Sequence, residues 1–301
     1  MAVISTIVSR TALLLAAAAP PSARRSTPLS LLTPRRTASA PELPKTVDPV
    51  DDPIFRDELW LDSGHVRYAD GLHGAGVGYC ASFSINTRAG NHSRAILILD
   101  AAPRPDEEAL CALAGKVALS CECVALVPLL RGGAAQWPAE RLASEAWAAT
   151  SYLNGAFGAE TLAIVAVGAT ASTTLALLSA GALDAHACIA LCPSGDPASA
   201  ARAARELPVP LLALCAGDAD GIAHATTLRE SLSLNSRLRS DFYVNDFEGR
   251  SAAFVLGPQD ATDAKAAERA LALLQGWVDR YCPERLSRSQ TAREIDDDDQ
   301  A

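Results

Sequence analysis

The sequence has no apolar run long enough to cross a membrane. Its longest, Ala12–Ala19, holds eight residues, whereas a spanning helix needs roughly 18–20 apolar residues. It also lacks an excess of positive charge, since 35 acidic residues outnumber 26 Lys and Arg. A protein that coats nucleic acid needs a basic face. We therefore expect neither a membrane span nor a nucleic-acid partner.

The cysteines show no metal-binding pattern. None of the eight forms a C-x-x-C pair, and no histidine stands at zinc-ligand spacing from them. Several lie in or beside apolar, strand-like runs, where a thiol behaves as a small hydrophobic group. We expect buried free thiols, no metal site and no cofactor.

Acidic residues are absent from positions 1–41, which carry five arginines and eleven Ser or Thr. This segment leaves a net charge of −14 on the other 260 residues. An Arg-rich, Ser-rich, acid-free N-terminus is typical of an organelle transit peptide. The short apolar stretch and Ala38-Ser39-Ala40 also fit a secretory signal with its cleavage site. We predict a targeting segment at 1–41, for a plastid first and a mitochondrion second, and a linker at 42–54. A permanent disordered arm is the alternative.

From residue 55 to 283, strand-like and helix-like segments alternate. Apolar runs such as Ala95–Leu99 and Leu162–Val167 are typical of strands buried on both faces. Alternation with helices predicts βαβ units. We therefore expect one α/β domain, with a mainly parallel, doubly wound sheet of about seven or eight strands and flanking helices. Helices are predicted from Thr173 and from His224, among others. The polar residues 284–301 form a predicted disordered acidic tail.

The end of one predicted strand carries a candidate catalytic motif. The strand Leu162–Val167 runs into Gly168-Ala169-Thr170-Ala171-Ser172. A strand that turns through small residues into a helix is typical of the nucleophile elbow, G-x-S-x-G. The small residues allow the tight turn, and the free N–H groups of the helix N-terminus can stabilise an oxyanion.

Here the chain resembles the dienelactone hydrolase family of α/β-hydrolases. The resemblance spans about Ala95 to Tyr281. Besides the elbow, its blocks are Ile96–Asp100, Val124–Pro128, Val209–Leu211 leading to Gly217–Asp220, Phe247–Phe254 resembling Y-x-G-x-x-H-G-F, and Ala264–Ala270. It implies an α/β-hydrolase fold and hydrolysis of esters or lactones by a nucleophile, a histidine and an aspartate.

The departures from the family fall on its reactive positions. Thr170 replaces the nucleophile, and Ala252 stands where the histidine is expected. Asp220 occupies the position of the triad acid, and Asp100 keeps the acid at the end of its strand. A hydroxyl needs an adjacent base, which alanine cannot supply. Because β-branched residues resist the positive φ of an elbow, Thr170 also predicts a relaxed turn.

Two main hypotheses follow. In the first, the chain is a non-catalytic relative that binds a ligand or acts as a scaffold; its pocket, near Asp100, could hold a small carbonyl or carboxylate ligand through the N–H groups of Ala101 and Ala171. In the second, it is a working ester or lactone hydrolase that uses Thr170, Asp220 and an unidentified base. His224 is a candidate base, although an exposed or helix-capping histidine is the favoured interpretation. A third option is an unknown protein partner whose basic surface binds the acidic residues Asp296–Asp299.

Overall fold

The computed structural model describes residues 61–69, 78–86, 93–102, 105–128, 138–238, 241–258 and 260–283. The predicted targeting segment 1–41, linker 42–54 and tail 284–301 lie outside the described residues and stay predictions.

Eight strands of the described chain form one sheet. They are β1 Leu61–Ala69, β2 Gly78–Asn86, β3 Arg94–Leu99, β4 Val124–Pro128, β5 Thr161–Val167, β6 Ala187–Leu191, β7 Leu211–Gly217 and β8 Phe242–Glu248. The spatial order is β1-β2-β4-β3-β5-β6-β7-β8. β2 runs antiparallel to β1 and β4, and every other pair is parallel. The predicted mainly parallel α/β sheet is confirmed.

Helices cover both faces of this sheet. They are α1 Glu107–Cys121, α2 Ala139–Phe157, α3 Thr170–Ser179, α4 Pro197–Ala204, α5 Ala219–Ser233 and α6 Ala261–Tyr281. Residues of α2 to α5 pack into the core on one face, and residues of α1 and α6 pack into the core on the other. The sheet is therefore doubly wound, as expected.

The central strands explain the two cores. Every residue of β3, β4, β5 and β6 is buried, because alternate side chains of a strand point to opposite faces and both faces are covered. Each continuous apolar run of the sequence therefore supplies apolar side chains to both faces of the sheet. No helix in the described part of the chain is long and apolar enough to span a membrane.

The start of α5 corrects one prediction. The helix begins at Ala219, not at His224, because the Asp218 side chain accepts a hydrogen bond of 2.8 Å from the Gly221 N–H. Such a cap satisfies a free N–H of the first turn. A Cβ on Gly221 would lie 2.2 Å from the carbonyl oxygen of Ala216. The glycine therefore belongs to the helix and lets it lie against the end of β7.

Candidate functional site

The turn between β5 and α3 contains Thr170, as the sequence predicted. Gly168 makes this turn with φ +58°, and Thr170 is the first residue of the helix. Among the described non-glycine residues, only Glu122 and Cys192 have positive φ. Thr170 is therefore free of the strain that an elbow nucleophile carries, as expected of a β-branched residue. α3 begins three residues earlier than predicted, at Thr170 rather than Thr173.

The hydroxyl of Thr170 contacts the adjoining strand end. Ala101 follows β3, which pairs with β5, and its N–H donates a hydrogen bond of 2.7 Å to Thr170 Oγ1. Both residues are buried. The Ala171 N–H donates to the Gly168 carbonyl at 3.2 Å. The two N–H groups predicted to hold an oxyanion or ligand thus already have acceptors within the chain.

Replacing Thr170 with Val tests the energetic weight of this contact. The substitution keeps the shape but leaves the buried Ala101 N–H without its acceptor, so we expect a loss of about 1–3 kcal/mol in the free energy of unfolding. Thr174→Val is the matched control: Thr174 is also fully buried in α3, and its Oγ1 has no hydrogen-bond partner among the described residues. Its removal should be neutral or stabilising. Denaturant unfolding measures both, and equal losses would contradict the assignment.

Asp100 lies at the same strand end and is almost fully buried. Its Oδ1 accepts a hydrogen bond of 2.9 Å from the Ala102 N–H. Burial raises the pKa of this carboxyl above its ordinary value, and the Ala102 contact opposes the rise only in part. The ionised form is thus destabilised in the folded protein.

The raised pKa of Asp100 predicts a pH-dependent gain from Asp100→Asn. The folded protein binds this proton more tightly than the unfolded chain, so stability is lost as pH rises above the unfolded pKa of about 3.9. Asn keeps an oxygen for Ala102 and cannot ionise. We expect a higher unfolding temperature at neutral pH and a gain that shrinks toward pH ~4. Asp184→Asn, at an exposed position, controls for net charge; an Asp100→Asn gain that is independent of pH would refute the burial argument.

The positions of the remaining triad residues are solvent-exposed. Asp220 lies in the first turn of α5, and Ala252 lies in the turn after β8. The capping residue of α5 is Asp218, and Asp220 follows it in the first turn. The loop that carries Ala252 is held in place, because the Gly217 N–H donates to the Arg250 carbonyl at 2.9 Å and Arg250 pairs with Asp263 at 2.9 Å. No hydrogen bond of the described residues joins Asp220 to Thr170.

His224 is neither exposed nor a cap, and that expectation is wrong. It lies in the second turn of α5, fully buried, with Nε2 3.3 Å from the Gly195 carbonyl. Burial lowers its pKa, although the contact with Gly195 and the charges of Asp220 and Asp196 oppose the shift. His186, the other histidine whose side chain is described, accepts from the Leu162 N–H at the opposite end of β5. Among the described residues, neither ring is hydrogen-bonded to the Thr170 hydroxyl, and Nδ1 of His224 is buried without a partner.

No group of three or more His, Cys, Asp or Glu side chains within the described ranges is placed to hold a metal ion. The cysteines with described side chains are free, and all but Cys111 are buried. Burial raises the thiol pKa of Cys188, Cys192 and Cys215 to about 12. These three thiols are therefore protonated and weakly nucleophilic at neutral pH.

Solved hydrolase structures share this arrangement of strands and helices. The dienelactone hydrolase of Anabaena variabilis matches 74% of this chain and 99% of its own, with a TM-score of 0.57 at 14% identity. The fold is that of the α/β-hydrolases. A thermostable esterase from Pseudomonas putida covers 70% of this chain and 81% of its own, with a TM-score of 0.54 at 12% identity. A structure of fungal esterases from Rhizomucor miehei covers 73% of this chain and 85% of its own, with a TM-score of 0.56 at 10% identity.

At these identities, the similarity establishes the α/β-hydrolase fold alone. Sequence comparison adds nothing to it, because no family model matches the chain. No curated protein matches it either.

Proposed function

We propose that this α/β-hydrolase-fold protein is not a hydrolase and that its domain serves as a scaffold. The observation that supports this most is the hydrogen bond from the Ala101 N–H to Thr170 Oγ1, at 2.7 Å. In a working site such an N–H must be free to stabilise negative charge on the substrate oxygen. Here it instead holds the residue that would have to attack.

The lack of a described base supports the same proposal. A threonine hydroxyl becomes nucleophilic only when a neighbouring group takes its proton. In the described chain neither His224 nor His186 is hydrogen-bonded to Thr170, and Ala252 offers no imidazole. Loss of a triad member typically reduces the rate by several orders of magnitude.

Binding of a small carbonyl or carboxylate compound is a second candidate role. It is favoured by the Ala171 N–H in the first turn of α3, where anions are stabilised, and by the Ala101 N–H, which contacts the first residue of that helix. A ligand oxygen would have to displace the Thr170 hydroxyl from Ala101, because that N–H is already bonded. The scaffold role requires no such rearrangement and is preferred.

Turnover of activated aryl esters and small lactones by the full-length protein tests the proposal. We expect a rate no greater than that of buffer, and no difference between wild type and Thr170→Ala. Turnover well above buffer that Thr170→Ala abolishes would overturn the proposal and establish a hydrolase with Thr170 as nucleophile. Thr173→Ala, an α3 substitution outside the reactive position, controls for an unrelated effect on the helix.

Residues 1–41 are proposed to direct import into an organelle, with a plastid preferred over a mitochondrion. The support is compositional: five arginines, eleven Ser or Thr and no acid. Fusion of residues 1–45 to a fluorescent reporter should give a signal confined to an organelle. Diffuse fluorescence throughout the cytosol would refute import.

A further inference from the structure

Three buried thiols lie at the end of the sheet where β4 begins, which is opposite the strand ends that carry the elbow. Cys121 is the last residue of α1, Cys123 immediately precedes β4, and Cys282 caps the C-terminus of α6. All three are free, buried and part of the same core. We call Cys121, Cys123 and Cys282 the thiol cluster.

Arg94 joins the two helix ends that carry the thiol cluster. Its Nη1 donates to the Cys121 carbonyl at 2.8 Å and to the Asp279 carboxylate at 2.7 Å. Asp279 lies three residues before Cys282 in the last turn of α6. Because one guanidinium nitrogen reaches both groups, the ends of α1 and α6 are adjacent. Its Nε is buried and has no hydrogen-bond partner among the described residues.

The backbone between the first two thiols favours their approach. Glu122 adopts the left-handed conformation, with φ +49°, and ends α1. The Cys123 thiol donates to the Val117 carbonyl at 3.8 Å. Burial, and after it the neighbouring Cys121, raises the pKa of Cys123 well above its ordinary value. Burial raises the pKa of Cys282 to about 12, while the charge of Arg94 opposes the shift and the neighbouring Cys121 adds to it. The three thiols thus lie close enough to influence one another's ionisation, at helix ends that Arg94 brings together.

We propose that the thiol cluster is an oxidation site in which Cys282 forms a disulfide with the Cys121–Cys123 pair. The bond would tie the end of α6 to the end of α1 and the start of β4. The loop so closed contains β4 to β8, most of the domain. This modification is independent of the elbow and of the proposed scaffold role.

The oxidant is a low-molecular-weight disulfide, such as oxidised glutathione. The Cys282 thiolate attacks one sulfur of this compound, forms a mixed disulfide and releases one thiolate. A thiolate of the Cys121–Cys123 pair then attacks the Cys282 sulfur and releases the second. Two protein thiols lose two hydrogens, and the small disulfide is reduced to two thiols that take up both protons. The positive charge of Arg94 favours the thiolate forms of Cys123 and Cys282, on which negative charge develops.

Burial makes this exchange slow and its product durable. A thiol with a pKa near 12 is almost fully protonated at neutral pH, so reaction requires opening of the last turn of α6. Helix ends open more readily than strands of the core. After the turn closes again, the disulfide is protected from external reductants. The cluster therefore suits a lasting crosslink rather than a rapid sensor.

Peptide mapping of the full-length, wild-type protein tests the proposal. The protein is incubated with oxidised glutathione, alkylated, digested with trypsin without reduction and analysed by mass spectrometry. We expect a crosslinked species that joins peptide 117–131, with Cys121 and Cys123, to peptide 281–285, with Cys282. A disulfide within peptide 117–131, a crosslink to another cysteine or no disulfide at all would overturn it.

Thermal unfolding of variants gives an independent readout. Oxidation of wild type should raise the unfolding temperature by about 5–15 °C, as expected for a disulfide that closes a long loop. Cys282→Ala should abolish the rise, whereas Cys188→Ala, which removes a buried thiol outside the cluster, should keep it. If both variants keep the rise in unfolding temperature, the assignment is contradicted. If Cys282→Ala does not fold, the wild-type peptide map still decides.

Discussion

Gly221→Ala is expected to lower the free energy of unfolding by about 2–3 kcal/mol, the cost of forcing extra volume into a packed site. The added Cβ would lie 2.2 Å from the Ala216 carbonyl oxygen and within 3 Å of two further backbone atoms of that residue. Backbone cannot rotate away as a side chain can, so α5 must move from β7. The unfolding temperature should fall by about 5–10 °C.

Gly276→Ala is the matched control. Gly276 also lies inside a helix, α6, but its added Cβ would meet nothing within 4 Å. There the substitution should raise stability by about 0.5–1 kcal/mol, because alanine has the higher helix propensity. Thermal and denaturant unfolding measure both variants. If both substitutions change the free energy of unfolding in the same direction, close packing at Gly221 does not cause the loss of stability.

The double substitution Thr170→Cys with Ala252→His is expected to give the second large effect, a gain of at least about 100-fold in kcat/KM for activated esters over Thr170→Cys alone, the contribution typical of a positioned base. Cysteine supplies a nucleophile and, as a weak acceptor, releases the Ala101 N–H to stabilise an oxyanion. Histidine supplies the base, on a loop already held by Gly217 and Arg250. Asp220, at the position of the triad acid, is expected to orient it.

Each single substitution is the control for the pair. Thr170→Cys alone lacks the base and Ala252→His alone lacks the nucleophile, so neither should approach the activity of the double variant. Two parts that act as a unit give such non-additive results. A double variant no more active than the better single variant would show that residue 252 does not face the elbow.

Most of the fold could be predicted because its signals are local. Five central strands, β3 to β7, are continuous apolar runs, and their burial on both faces is a direct consequence of that composition. The long amphipathic pattern from Ala139 to Phe157 predicts a helix with the bounds that α2 has. The small residues after β5 indicate the elbow, and the acidic Asp100 after an apolar run indicates the end of β3. These features depend on neighbours along the chain.

The site chemistry could not be predicted in the same way. The hydrogen bond between Ala101 and Thr170 joins residues 69 positions apart, and nothing in either segment alone indicates that the hydroxyl turns toward that N–H. The sequence predicts a helix that begins at His224, whereas the helix begins at Ala219, packs closely on Ala216 through Gly221 and buries the histidine. Both depend on how β3, β5 and β7 meet their helices in space.

Amide hydrogen exchange at Ala101, followed by NMR in wild type and in Thr170→Val, tests the central claim that the Thr170 hydroxyl occupies this N–H. The account predicts slow exchange in wild type and exchange at least about tenfold faster in the variant, the factor that corresponds to 1.4 kcal/mol. The Ala171 amide, which donates to Gly168, is the internal reference and should change little. Equal exchange rates at Ala101 in the two proteins would contradict the account.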